Sequence, residues 1–132
     1  MSAHVSPRKR AEILLEALPY LRSFRDALFL IKFGGSTMEE PEQVGRFLTD
    51  VAFLNAVGIR IVLVHGGGKA INARMKERAL VPRFVGGLRV TDEETIDIVR
   101  DALDGDVNPA IVAQLRQLGV PAEGLSGTKV FL

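Results

Sequence analysis

Cysteine is absent from the 132 residues, which excludes disulfides, thiolate metal sites and cysteine nucleophiles. Histidine is scarce, with two residues, and no serine near a loop has a histidine base at a recognisable spacing. An excess of one charge is lacking as well. Seventeen basic residues face sixteen acidic ones, a net charge of +1, so nothing in the balance recruits nucleic acid or an anionic membrane. Long apolar runs are missing too: stretches such as 27–31 and 61–64 have the length of a strand and cannot span a bilayer. The basic opening MSAHVSPRKR is followed by a stretch broken by Glu12, Glu16, Arg22, Arg25 and Asp26, so no signal-peptide core forms. A cytoplasmic protein without nucleic-acid or membrane partners is the expectation. What is present is ordinary globular material, 47% hydrophobic and 25% charged, with 13 glycines that cluster.

The pattern alternates strands and helices. Ala11, Leu14, Leu15, Leu18 and Leu21 recur at helical spacing over residues 8–24. Pro19 falls inside that stripe and predicts a kink or break near residues 17–18. This helix either packs on the core or serves as an arm that docks on another subunit. Residues 27–33, ALFLIKF, form an apolar run that suits a strand buried on both faces of a parallel sheet. A helix starting at Pro41 and closed by Gly58 follows, then a second buried strand over 59–64, then a helix over 69–78. Two strand–glycine loop–helix units in succession imply a right-handed βαβ crossover. Residues 84–90 read as a hairpin turning at Gly86-Gly87. Thr91 and Glu94 have capping-box spacing for a helix to about residue 103, stopped by Gly105. Asn108-Pro109 reads as cap and first residue of a helix to about 118. Residues 130–132 read as the start of another strand.

The glycine loops carry the chemistry. In Ile31-Lys32-Phe33-Gly34-Gly35-Ser36 a lysine sits late in an apolar strand, where its ammonium needs a partner or a cavity. Ligands of open α/β sheets bind at the carboxyl ends of the strands, which is where this lysine and loop fall. A lysine snorkelling beside an ordinary turn is the competing reading. The second loop, Val64-His65-Gly66-Gly67-Gly68-Lys69, is sharper. Three glycines where one would turn the chain make sense when backbone amides approach an anion at a helix N-terminus. It is not a Walker A loop, because Leu63 and Ala70 stand where glycine and Ser/Thr are required. It is not a dinucleotide fingerprint, because Ile71 stands where the third glycine belongs. His65 is read as a residue that orients the loop by hydrogen bonding rather than as a base.

Arg89 ends the hairpin and is either a carboxylate clamp or a solvated arginine. Asp92, Glu93 and Glu94 favour a helix start. Asp101, Asp104 and Asp106 lack the spacing of a calcium loop and read as a solvated helix end, so no metal site is assigned. A cationic, amide-rich site at the end of a parallel sheet suits a carboxylate substrate and a transferring phosphoryl group.

IKFGGS, VLVHGGGKAIN, FVGGLRVTDEETIDIV and GLSG, in that order and at those gaps, resemble the successive N-terminal motifs of the N-acetylglutamate kinases within the amino acid kinase family. The resemblance covers residues 10–127 and implies a truncated three-layer α/β/α sandwich with a mainly parallel sheet. It implies transfer of the ATP γ-phosphate, with Mg2+, to the side-chain carboxylate of N-acetyl-L-glutamate in arginine synthesis. An aminoadipate derivative is the alternative substrate, and a non-catalytic binding or oligomerisation module the alternative role. Carried over by motif, Lys32 stabilises the transferring phosphoryl group and Gly34 and Gly35 lie beside the phosphate. Gly67 and Gly68 are backbone donors near the substrate, and Arg89 holds its α-carboxylate. AEILLEALPYLRSFRD, residues 11–26, is similar to the N-terminal helix of arginine-sensitive hexameric members, which implies an oligomerisation arm over residues 1–26, a homo-oligomer and arginine as feedback inhibitor. Residues 27–132 match the acceptor-binding part. The sequence departs from the family's pattern at Lys69, at Gly86 and after Gly127. The family's nucleotide pocket and second catalytic lysine have no counterpart here, so an incomplete, inactive fragment is expected.

Overall fold

The computed structural model describes residues 6–38 and 40–130. Helix α1, Pro7–Phe24, starts at Ser6, whose Oγ accepts from the Lys9 amide at 3.3 Å, with Pro7 in the first turn. It runs through Pro19 as one helix, so the chain does not break there. None of its residues is buried, and Leu15 is 67% exposed. The core-packing reading of this stripe therefore does not hold.

Strands β1, Leu28–Phe33, and β2, Arg60–His65, each begin one residue later than their apolar runs suggested. They pair in parallel, with Leu28 opposite Arg60 and Phe33 opposite His65. Helix α2, Pro41–Ala56, makes the crossover between them, with Pro41 in its first turn and Gly58 just past its end. On one face of this sheet Phe33 packs with Leu48 and Val51 of α2 and with Ile111 and Leu115 of α5, Asn108–Gln117. The Phe33 and Phe47 rings stack with centroids 4.1 Å apart.

The opposite face is bare. Leu28, Leu30, Val62 and Val64 are exposed, Leu30 to 72%. Burial on both faces, expected from the apolar runs, is thus corrected to burial on one. A single crossover sets α2 on one side of the sheet, α5 returns to that same side, and no described helix covers the other.

A second cluster lies beyond β2. Helix α3, Gly68–Glu77, packs Ile71 and Met75 against Ile98 of α4, Glu93–Arg100, and Ala102 of the segment behind it. The hairpin between them pairs β3, Phe84–Val85, with β4, Leu88–Arg89. Gly86 and Gly87 take φ values of 57° and 79°, as a two-residue turn of this hand requires.

Four local expectations are corrected. The capping box sits one residue later: the Asp92 carboxylate accepts from the Thr95 amide and Thr95 Oγ1 accepts from the Asp92 amide. Gly105 does not stop the helix, because residues Asp101–Val107 continue it as a π-helical segment into α5. Ala102 is fully buried there and Leu103 packs against it, so packing outweighs the glycine. Asn108 is then not a cap, since the backbone before it is already helical. Val130 ends a short helical turn, α6, Gly127–Val130, rather than opening a strand; residues 131–132 of that expectation lie outside the described residues.

Candidate active site

The parallel register brings the two glycine loops together at the carboxyl ends of β1 and β2. The Gly66 amide donates to the Phe33 carbonyl at 2.8 Å. A Cβ built on Gly66 would lie 3.5 Å from Gly34 Cα, so the loops are in van der Waals contact. Gly35 has φ +66°, a backbone that other residues rarely adopt, and opens a 3-10 turn, Gly35–Met38.

The glycines of the second loop differ in what they are for. Gly66 has its amide tied to β1. A Cβ on Gly67 would collide with Leu103 of the π-helical segment, so Gly67 has a packing reason to be glycine. Nothing lies within 4 Å of a Cβ on Gly68, and its backbone shows no need for glycine. Gly68 opens α3, where the first amides have no partner within the helix and the dipole is positive. The first intrahelical bond runs from the Ile71 amide to the Gly67 carbonyl, at 2.9 Å.

His65 orients the loop, as its position suggested. Its Nδ1 lies 2.9 Å from the Gly66 carbonyl oxygen and its Nε2 lies 3.2 Å from Nδ2 of Asn108. Lys32, opposite Val64 in the register, stands at an exposed position on the bare face of the sheet. It is therefore not a buried cation, and its ammonium reaches solvent at the strand's end.

Arg89 is held rather than loose. One terminal nitrogen donates to Asn72 Oδ1 of α3, and the other lies 3.1 Å from Met75 Sδ. Its guanidinium carbon sits 4.9 Å from the Phe84 ring centroid, its cross-strand neighbour in the hairpin. Asn72 lies one turn along α3 from Gly68, roughly 6 Å along the axis. Asn72, Met75 and Phe84 went unread in the sequence. An asparagine inside a helix was the available signal for Asn72, because that residue type disfavours helix interiors. Lys32 and Arg89 stand on different elements and share no partner among the described residues.

The acidic cluster stays at the surface, but the helix runs on through it and its carboxylates are paired. Asp106 receives two hydrogen bonds from Arg74, at 2.6 and 2.7 Å, Asp104 accepts from Ser126 Oγ, and Asp101 lies 3.8 Å from Arg78. The Arg74 hydrogen bonds hold the Asp106 carboxyl below its ordinary value. Hydrogen bonds from Thr95, ahead of the Arg83 guanidinium at 3.0 Å, do the same for Asp92. A cleft of about 740 Å³ opens beside this cluster, lined by Arg100, Asp104, Glu123, Ser126 and Lys129 among others. It includes none of Lys32, Gly34, Gly35, Gly67, Gly68 and Arg89, and it is polar and open. The motif-bearing loops, not this cleft, define the candidate site.

An α/β chain with paired glycine loops at the carboxyl ends of its parallel strands has the frame of a small-molecule-binding α/β protein. The amino acid kinase family model matches residues 27–132, and the chain belongs to that family. An acetylglutamate kinase of Akkermansia muciniphila is 45% identical over 124 residues, which are 94% of this chain and 42% of that protein. One from Methanococcus vannielii is 48% identical over 119 residues, 90% of this chain and 40% of that protein. The chain thus spans about two-fifths of the length of these curated relatives. Among solved structures, N-acetylglutamate synthase from Neisseria gonorrhoeae, complexed with coenzyme A and N-acetyl-glutamate, matches with a TM-score of 0.70 at 27% identity. That match covers 86% of this chain and 26% of the synthase. A protein of Streptococcus mutans matches with a TM-score of 0.66 at 34% identity, over 75% of this chain and 40% of that one.

Proposed function

We propose that the chain is the acceptor-binding part of an acetylglutamate kinase, formed by residues 27–132, with residues 1–26 as an arm for homo-oligomer assembly. The observation that carries this reading is Gly68. It is a glycine that neither packing nor backbone geometry requires, at the start of α3, two residues after the glycine that touches the β1 loop and one turn from the residue that tethers Arg89. Open space at a helix N-terminus suits a carboxylate.

N-acetyl-L-glutamate carries two carboxylates, and the site offers two kinds of partner. Arg89 has N–H groups left over from Asn72 and Met75 for paired bonds to the α-carboxylate. The amides of Gly67 and Gly68 receive the acceptor end of the substrate. In the transfer, a side-chain carboxylate oxygen bonds to the γ-phosphorus as the bond to the β–γ bridging oxygen breaks, giving an acyl phosphate and ADP. Lys32 and the amides of Gly34 and Gly35 neutralise the phosphoryl oxygens as charge builds on them. Mg2+ comes with the nucleotide in this chemistry. No group of three or more histidine, aspartate or glutamate side chains gathers among the described residues, and no step is routed through a metal. Nucleotide contacts are not assigned to these residues. The exposed apolar stripe of α1 supports assembly with other copies. Arginine inhibition and a cytoplasmic place in arginine synthesis belong to the same reading.

Calorimetric titration of the chain tests it. N-acetyl-L-glutamate should bind, an aminoadipate derivative should bind more weakly, and Arg89→Ala should lower affinity by about tenfold or more, as expected for a lost two-bond carboxylate clamp. With ATP and Mg2+ added, the chain alone should release no ADP. Absence of binding, or equal binding by Arg89→Ala, would sink the proposal.

A further inference from the structure

We infer that Asn108 is a positioning residue which, through the tautomer of His65, aims the Gly67 amide into the site. This rests on the reading of the second glycine loop as the acceptor site. The chain of contacts is short. His65 Nδ1 lies 2.9 Å from the Gly66 carbonyl oxygen. A carbonyl only accepts, so Nδ1 carries the ring proton and donates it. Nε2 of the neutral ring then has only a lone pair to offer, and the Asn108 side-chain amide, 3.2 Å away, donates to it.

The Gly66 carbonyl belongs to the same planar peptide unit as the Gly67 N–H. In a trans peptide the two point in opposite directions. Holding the Gly66 oxygen towards the His65 ring therefore fixes where the Gly67 N–H points. The preceding peptide is fixed as well, by the Gly66 amide's bond to the Phe33 carbonyl at 2.8 Å. If the ring carried its proton on Nε2, the Nδ1 lone pair would face the Gly66 oxygen, and that peptide would lose its anchor.

Asn108 is itself held for this task. It is the first residue of α5, with φ −59° and ψ −50°, so its side chain is free of capping duty. A Cβ on Gly124 would collide with its Oδ1 and come within 3.3 Å of Val112, so the absence of a side chain at Gly124 leaves the room in which the amide lies. Its nitrogen is the end turned to His65. An Asn-Pro pair that reads in sequence as a cap serves instead as a tautomer selector.

Nitrogen-15 NMR of the His65 ring in the whole chain at neutral pH tests the inference. The expected state is protonated Nδ1 and bare Nε2. Asn108→Asp, which turns an acceptor instead of a donor towards Nε2, should move the proton there and weaken N-acetyl-L-glutamate binding about five- to tenfold, the effect of one lost hydrogen bond. His65→Asn keeps a donor for the Gly66 oxygen without needing Asn108, so adding Asn108→Asp to it should change affinity no further. Should Asn108→Asp not fold, Gly124→Ala displaces the same amide from its other side and should shift the Nε2 resonance as its donor is withdrawn. A wild-type ring protonated on Nε2, a tautomer unmoved by Asn108→Asp, or an Nε2 resonance unmoved by Gly124→Ala would overturn the inference. Failure of the wild type to bind N-acetyl-L-glutamate would instead overturn the functional reading, while the ring's protonation still decides the role of Asn108.

Discussion

The chain contains two units held together by different forces. The sheet unit, β1–α2–β2 with α5, closes chiefly on the apolar side chains of Phe33, Leu48, Val51, Ile111 and Leu115. The helical unit, α3 with the hairpin, α4 and the π-helical segment, has the smaller cluster of Ile71, Met75, Ile98 and Ala102. It is laced with exposed ion pairs, Arg74 to Asp106, Arg78 to Asp101 and Arg83 to Asp92. Apolar packing is not weakened by charge screening, whereas exposed pairs are individually weak and screened. The difference assigns scaffold duty to the first unit and a more adjustable role to the second. The scaffold sets the register of the glycine loops, and the helical unit holds Arg89 against Asn72 and Met75 of α3. Gly67 is where the two meet, pressed against Leu103.

The comparison can be broken in four places. Leu48 is fully buried at the centre of the sheet unit, so Leu48→Ala should lower unfolding stability by about 2–5 kcal/mol in denaturant titration. A loss below that range would mean that the sheet unit is not the scaffold. Gly67→Ala should lower stability by about 1–3 kcal/mol by overpacking against Leu103, with the side chain rather than the backbone as the cause. Gly68→Ala should leave stability unchanged or raise it by about 0.4–1 kcal/mol, because alanine fits this backbone and narrows the freedom of the unfolded chain. The same variant should bind N-acetyl-L-glutamate more weakly. Equal stability losses at both glycines would erase the distinction between packing and ligand space.

The smallest effect belongs to the ion pairs. Asp106 has its carboxyl held below the ordinary value of 3.8 by the Arg74 hydrogen bonds. A depressed folded-state value contributes stability above the unfolded value, and that contribution is lost as pH falls from about 3.8 through the folded value. Asp106→Asn should therefore flatten the acid end of the stability profile and change little at neutral pH. Thermal melts across that range, with salt as a second variable, check it. A variant whose profile overlays the wild type shows that the pair is only ornamental to the fold.

The legible part of the fold was the part written in local patterns. Apolar runs ended by glycine clusters marked both strands and the crossover, and Gly86-Gly87 marked the hairpin. His65 was legible as an orienting residue because a single histidine beside three glycines has little else to do. What stayed hidden depends on contacts far apart in the chain. Arg74 and Asp106 are 32 residues apart, so a solvated helix end was the natural reading of the acidic cluster. Gly105 and Asn108 looked like a stop and a start, yet Ala102 and Leu103 are packed well enough to carry the helix through both. Apolarity of both strand faces was read correctly, but only one is covered by the described residues. Hydrophobic alternation records what a face is suited to meet, not what this stretch of chain supplies.

The most direct test follows the backbone amides during titration with N-acetyl-L-glutamate. Nitrogen–proton correlation spectra of the chain should show the Gly67 and Gly68 amides and the Arg89 side-chain Nε–H moving together with one saturation curve, while Gly124 and Ser126 beside the polar cleft stay in place. Shifts confined to the cleft residues, or glycine amides that do not move while ligand binds, would contradict the assignment of the acceptor site to the paired glycine loops.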